Sequence, residues 1–346
     1  MELIKANEAV VKAAILAGCT QYYGYPITPA SEVAMAAAKY LPHVGGTFLQ
    51  AESEVAAINM VYGAAGAGAR VMTASSGPGI SLKQEGVSYL AAAELPCVII
   101  DVMRAGPGLG NIWPEQGDWN QVVHGGGHGN YKCLVFLPNC AQEMADLTML
   151  AFELADKYRM PAYILTDAYI GQMMEPVVFP ETRSQAPHKD YVLYADKGSR
   201  EHLVSSIFMS TEGLEEHNRH LQRKYAEIET SEVRYQEIHV DDADLVLMGY
   251  GFVSRLLKSV VDGLREEGHK VGLLRPITAF PFCSVRLEEL IKQGKELFIC
   301  EMSNGQMFRD VQWSVGRDAP LYFYNRMGGM VPSVDELTEA VRRYLK

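Results

Sequence analysis

Paired cysteines, a surplus of basic charge and long apolar runs are all missing from this 346-residue chain. Its six cysteines (Cys19, Cys97, Cys133, Cys140, Cys283 and Cys300) include no C-x-x-C pair, so no zinc or iron–sulfur cage is recognisable. They are expected to be reduced and mostly buried. The formal net charge of −11 argues against a nucleic-acid partner, which would require a basic face. Nowhere do about 18 apolar residues follow one another, so no membrane span is expected. The opening Met1-Glu-Leu-Ile-Lys-Ala-Asn-Glu carries charges where the apolar centre of a secretory leader would run, and the expected location is the cytoplasm. What is present has ordinary globular proportions, 48% hydrophobic and 21% charged. The length predicts two domains whose cores bury roughly three quarters of the unfolded surface.

Helical and strand signals alternate over residues 1–185. Residues 6–17 read as an apolar-periodic helix and 21–26 as a strand and turn. Residues 70–75, 97–103, 134–138 and 162–167 read as short strands, with 142–157 as one of the helices between them. Such alternation predicts a parallel sheet covered on both faces. Residues 186–240 differ: five of the nine histidines fall here, among many Glu, Arg and Lys. Leu214, Leu221, Tyr225 and Ile228 form one apolar stripe along a highly charged helix, and the segment reads as a solvated connection. His217 and His220 have a spacing that suits a metal pair, but the surrounding charge reads as an ordinary surface helix. Residues 241–346 resume the alternation, with strands near 244–249, 270–276, 296–301 and 321–324. A closing helix over 334–345, with Ser333 as N-cap, completes a second, smaller α/β domain.

Several segments carry chemistry. Thr28 precedes Pro29 and a helical pattern over 30–40. Pro suits the first position of a helix and Thr suits the N-cap. Such a helix start also offers free N–H groups and a positive dipole end to a carboxylate. Further on, Thr47-Phe-Leu-Gln closes a strand and Glu54 opens a Gly/Ala-rich helix. An acid in this first turn stabilises the helix dipole by about 0.3–1 kcal/mol with no ligand at all. Glu52 competes for any further role, but residues i and i+2 do not share a helix face, so only one of the two acids should point at a ligand. Ser75-Ser-Gly-Pro-Gly79 follows a strand and precedes a helix. Its glycines admit close backbone approach, and it lacks the G-K-[ST] ending of a nucleotide loop.

Arg104 stands at the carboxyl end of the strand 97–103, where ligands of parallel α/β sheets sit. A guanidinium there can grip a carboxylate with two prongs. Gly125-Gly-Gly-His128-Gly-Asn-Tyr131 is glycine-dense, and His128 reads as a turn residue, with proton donation or substrate contact as its alternative. Asp118 and Asn120 lie near enough in sequence to line the same cleft. Gly249-Tyr-Gly251-Phe-Val-Ser254 imitates a dinucleotide fingerprint. Ser254 replaces the third Gly, and the following strand lacks the acid that would hold a ribose hydroxyl, so an NAD site is rejected.

As a set, Tyr25-Pro26-Ile-Thr28-Pro, the Glu54 helix and Ser75–Gly79 resemble the pyrimidine-binding domain of thiamine diphosphate (TPP) enzymes. More narrowly, they resemble the alpha subunit of 2-oxoacid:ferredoxin oxidoreductases, and the resemblance covers nearly the whole chain. Gly249–Ser254, Arg275-Pro-Ile-Thr and Glu301-Met-Ser-Asn-Gly-Gln-Met resemble that family's transketolase-C-like second domain. The implied fold is α/β: a pyrimidine-binding-type parallel-sheet domain over 1–185, a charged connecting segment over 186–240 and a smaller transketolase C-terminal-like domain over 241–346. The resemblance implies that Glu54 bonds the N1′ nitrogen of the aminopyrimidine and favours the tautomer that takes the thiazolium C2 proton. General acid–base steps of this kind contribute about 10²–10⁴-fold. It further implies that Pro26, Ser76 and Gly77 line the cofactor pocket and that Thr28 and Arg104 hold the 2-oxoacid carboxylate. The loops Gly106-Pro-Gly-Leu-Gly-Asn, Gly-Gly-Gly-His-Gly-Asn and Gly171-Gln-Met-Met-Glu-Pro look most like the branched-chain (3-methyl-2-oxobutanoate) subtype. The alternatives are 2-oxoglutarate or pyruvate as substrate, or a non-catalytic scaffold subunit of such a complex.

A TPP enzyme also needs a half that grips the diphosphate through Mg²⁺, marked by Gly-Asp-Gly. Here Gly117-Asp118 is followed by Trp119 instead. The resemblance therefore implies a beta subunit carrying the diphosphate and Mg²⁺ and a ferredoxin-like iron–sulfur subunit. Ferredoxin would accept the electrons, with a 2-oxoacid and coenzyme A as reactants. No metal ligands are expected in this chain.

Overall fold

A computed structural model describes residues 1–345. The strands of the first region form a seven-stranded sheet in the order Thr278–Phe280, Leu134–Phe136, Pro161–Asp167, Cys97–Met103, Val71–Ser75, Gln21–Gly24, Thr47–Gln50. Neighbours run parallel except at the first edge, where Thr278–Phe280 pairs antiparallel with Leu134–Phe136. Val71–Ser75, Cys97–Met103 and Pro161–Asp167 are buried at every position. Continuous burial is what a parallel sheet shows when helices cover both its faces. The helices pack on one another in pairs, Ala6–Leu16 on Ala141–Tyr158 and Glu54–Gly66 on Gly77–Ala92. A small ribbon pairs Glu2–Lys5 with Met174–Val177.

The second sheet has five strands in the order Leu321–Asn325, Glu296–Glu301, Leu245–Met248, Val271–Pro276, Tyr235–Ile238. It is parallel except for Tyr235–Ile238, which runs antiparallel to Val271–Pro276. The closing helix spans Val334–Arg342, and Ser333 caps it in a capping box with Glu336, satisfying two free donors reciprocally.

The sheets cross the boundaries at 185 and 240. Tyr235–Ile238 belongs to the second sheet, whereas Thr278–Phe280 returns to extend the first. Arg275 ties the two regions further, its guanidinium pairing with both oxygens of Glu143 at 2.6 and 2.7 Å while only 2% exposed.

The segment 186–240 is more firmly attached than a solvated connection. Its helix Thr211–Ser231 buries Leu221, Tyr225 and Ile228, while Leu214 stays exposed. The His217 Nε2–H donates to the Ala92 carbonyl at 2.8 Å, and both His220 and Lys224 meet Glu94. These two histidines thus anchor the helix to the first domain. Five of the six cysteines are buried, Cys140 is half-buried, and all are free. Among the described residues no helix is long and apolar enough to cross a membrane.

Candidate active site

The carboxyl ends of the first sheet's strands gather the site. The strand Thr47–Gln50 leads to Ser53, whose hydroxyl accepts the Ala56 N–H and starts the helix Glu54–Gly66. Glu54 is therefore the first helical residue. It is 7% exposed, whereas Glu52, still in the preceding bend, lies on the surface. The next strand, Val71–Ser75, runs directly into the helix Gly77–Ala92, so Gly77-Pro-Gly79 form its first turn rather than a free loop. Gly79 faces Glu54: a Cβ there would stand 2.6 Å from Glu54 Oε1 and would overlap Ser75 Oγ. Only a glycine leaves that space to the carboxylate. The hydroxyls of Ser75 and Ser76 are buried without partners, and no described residue hydrogen-bonds the Glu54 carboxylate.

Gly77 links this corner to the next one. A Cβ on Gly77 would lie 3.8 Å from Arg104 Cγ. Arg104 follows the strand Cys97–Met103 and donates to the carbonyls of Thr28 (2.9 Å) and Leu109 (3.0 Å), which orients its guanidinium. Thr28, Pro29, Ile112, Trp113, Pro114 and Tyr169 border a largely apolar crevice of about 360 Å³ beside it. Glu54, Ser76, Gly77, Arg104 and Thr28 thus lie along one run of neighbouring residues. Pro26 sits on the exposed turn that leads to Thr28.

The expectation that Thr28 caps a helix begun by Pro29 is corrected. A tight turn intervenes, with the Ala30 N–H donating to the Ile27 carbonyl, and the helix Ser31–Tyr40 begins after Ala30 without a side-chain cap. The Thr28 hydroxyl lies 3.4 Å from that of Ser31 and is exposed.

Asp118 lines the same corner. Its carboxylate accepts the Gly77 N–H at 3.1 Å and the Gln121 side-chain amide at 2.7 Å, bracing the first turn of the helix Gly77–Ala92. Behind it Asp101 is fully buried. Burial, and the neighbouring Asp118, hold the Asp101 carboxyl well above the usual carboxylate range, and burial raises Asp118 to about 6. Asn120 is exposed and its backbone N–H donates to Gln306 of the second region. His128 lies in a bend, 3.3 Å from the Ser88 hydroxyl and edge-on to Tyr89. The Gly249–Ser254 turn is filled by the protein itself. Asp167 reaches in from the first sheet and accepts the Phe252 N–H at 2.8 Å, and a Cβ on Gly251 would overlap that carboxylate. The anion position that a dinucleotide would need at this helix start is taken by an aspartate.

Sequence reasoning did not single out Lys83 or Asp101, and Ser75 entered it only as the start of the Ser75–Gly79 segment. A signal existed for Lys83: it stands four residues after Gly79 and so shares its helix face. Asp101 gave none, since an acid inside an apolar strand does not reveal which carboxyl it will meet.

This fold is that of a thiamine diphosphate-binding α/β domain followed by a second core domain, as the comparisons with known proteins show. Residues 12–241 match the family described as pyruvate flavodoxin/ferredoxin oxidoreductase, thiamine diP-bdg, and residues 243–337 match pyruvate:ferredoxin oxidoreductase core domain II. The chain belongs to the 2-oxoacid:ferredoxin oxidoreductase family as one subunit of a multi-subunit enzyme. It is 57% identical to the ketoisovalerate oxidoreductase subunit VorB of Methanothermobacter thermautotrophicus, over 99% of this chain and 97% of that one. The 2-oxoglutarate synthase subunit KorA of Methanocaldococcus jannaschii is 33% identical over 99% of each chain. Among solved structures, 2-oxoglutarate:ferredoxin oxidoreductase from Magnetococcus marinus superposes with a TM-score of 0.91 at 26% identity. It covers 99% of this chain, which spans 65% of that longer chain.

Proposed function

We propose that this chain is the alpha subunit of a cytoplasmic TPP-dependent oxidoreductase. The complex would convert 3-methyl-2-oxobutanoate, coenzyme A and oxidised ferredoxin to an acyl-CoA, carbon dioxide and reduced ferredoxin. The single observation that carries this reading is Glu54: a buried carboxylate, unbonded, beside a glycine whose missing side chain leaves it room. The orphaned hydroxyls of Ser75 and Ser76 fit the same purpose, since buried polar groups ordinarily have partners. The branched-chain substrate rests on the identity to the ketoisovalerate subunit and on the loops around Gly106, Gly125 and Gly171.

Bound TPP would supply a carbon nucleophile that adds to the 2-oxoacid carbonyl and accepts the electrons left when carbon dioxide departs. Glu54 would hydrogen-bond N1′ of the pyrimidine, accepting from N1′–H in the tautomer that takes the C2 proton, and the space above Gly79 would let the ring approach the backbone. Ser76, Gly77 and Pro26 would line the ring's surroundings. Arg104, already aimed by the two carbonyls it bonds, would grip the substrate carboxylate with its remaining N–H groups. The exposed Thr28 hydroxyl would add a further donor. Asp118 would hold the Gly77 turn in place.

The diphosphate, its Mg²⁺ and the iron–sulfur clusters are assigned to partner subunits, since the sequence has no Gly-Asp-Gly segment and no C-x-x-C pair. A partner would also cover Tyr25, Leu49, Val55 and Leu82, large apolar side chains exposed around the Glu54 corner. The test is turnover by the complex purified with its natural partners, using a panel of 2-oxoacids and a viologen dye or ferredoxin. Glu54→Gln should abolish reduction of the acceptor with every substrate. Unchanged turnover would remove Glu54 from the chemistry and leave the chain as a scaffold.

A further inference from the structure

Lys83 lies in the helix Gly77–Ala92, is 0% exposed, and its Nζ has no hydrogen-bond partner. A buried, unpaired ammonium is costly, so its retention calls for a compensating interaction. The packing places one acid on the same seam. Residues 79, 83 and 86 share a face of their helix. Gly79 meets the carboxylate of Glu54, and Gly86 meets Ile58 one turn further along the Glu54 helix, where an added Cβ would stand 2.5 Å from Ile58 Cγ2. Lys83 falls between these two contacts, sealed in the seam beneath Glu54. The charged or ionisable groups that act on it are Glu54 from the facing helix and Cys97 from the sheet.

We propose that Lys83 is a positioning residue for the TPP site, the buried cation that keeps the Glu54 side chain oriented toward N1′. This rests on the function proposed above. The long aliphatic stem fills the seam while the ammonium faces the acid across it. Burial lowers the Lys83 pKa to about 8, so the counter-charge is present at neutral pH and lost in mildly alkaline solution.

The test is the affinity of the purified complex for TPP, by calorimetry between pH 7 and 9 in the presence of Mg²⁺. In the wild type, affinity should weaken as pH passes about 8. Lys83→Met should weaken binding at pH 7 by about tenfold or more and flatten the pH dependence. In a Glu54→Gln background, Lys83→Met should produce little further loss, because the pair acts as a unit. Equal losses from Lys83→Met in both backgrounds would show a merely structural lysine and overturn the proposal. A wild-type affinity that is flat across this range would overturn it too, even if the variant failed to assemble. If Glu54→Gln itself leaves TPP affinity intact, it is the underlying function that falls.

Discussion

Gly79→Ala puts a methyl group in place of a hydrogen at a crowded point of the proposed site. Gly79 carries no positive φ, so the backbone accepts alanine and the effect is steric alone. The new methyl would overlap Ser75 Oγ and stand 2.6 Å from Glu54 Oε1, where ordinary contact begins at 3.4 Å. Both groups must retreat by about an ångström. Ser75 sits on a fully buried strand and has little freedom, so much of the displacement falls on Glu54. Overpacking of this kind costs about 1–3 kcal/mol, which a domain of this size tolerates. A displacement of about 1 Å at a reacting group can cost about 10²-fold in rate. The variant should therefore assemble with its partners, melt only a few degrees lower, lose TPP affinity and lose turnover by roughly two orders of magnitude. Full activity with a lowered melting temperature would mean that the Glu54 carboxylate does not need its present position, and the reasoning would fail.

Arg104→Ala should raise KM for the 2-oxoacid by about 10–100-fold, the worth of a charged hydrogen bond, while TPP affinity stays put. Steady-state kinetics beside calorimetry separates the two. Arg275→Ala leaves Glu143 without its partner across the two regions and should cost about 3 kcal/mol, read as a lower melting temperature. Asp118 concerns pH. Its folded pKa of about 6 lies above the ordinary 3.8, so the folded chain binds this proton more tightly than the unfolded one. Its burial penalty is fully present above pH 6 and is relieved as pH falls from about 6 toward 4. Asp118→Asn should accordingly raise the melting temperature at pH 7.5 more than at pH 5. An equal effect at both would show that the carboxyl is not held above its usual range.

Much of this arrangement was legible in the residues. The strands 97–103 and 162–167 announced themselves as short, mostly apolar runs, and Glu54 as an acid opening a Gly/Ala-rich helix after a strand. Ser53 caps that helix, a cap the sequence reading did not name, and Glu54 is its first helical residue. Thr28 misled because Thr-Pro before a helical pattern suits a cap and a tight turn equally, and the Ala30–Ile27 hydrogen bond decided for the turn. The helix Thr211–Ser231 looked solvated because its charges outnumber its apolar residues. Its attachment depends on Ala92 and Glu94, more than a hundred residues away. Thr278–Phe280 could not be assigned to the first sheet, since a strand signal does not name its neighbour. Lys83 stands in sequence beside Gln84 and Glu85 and reads as a surface lysine. Only the packing of Gly79 and Gly86 on the Glu54 helix turns it inward.

The central claim is that this chain presents one acid to the pyrimidine of a cofactor whose other end is held by a partner. Calorimetric titration of TPP and Mg²⁺ into the purified complex, wild type against Glu54→Gln, tests it most directly. The account predicts saturable binding that the substitution weakens by an order of magnitude or more. Identical titration curves for the two proteins would contradict it.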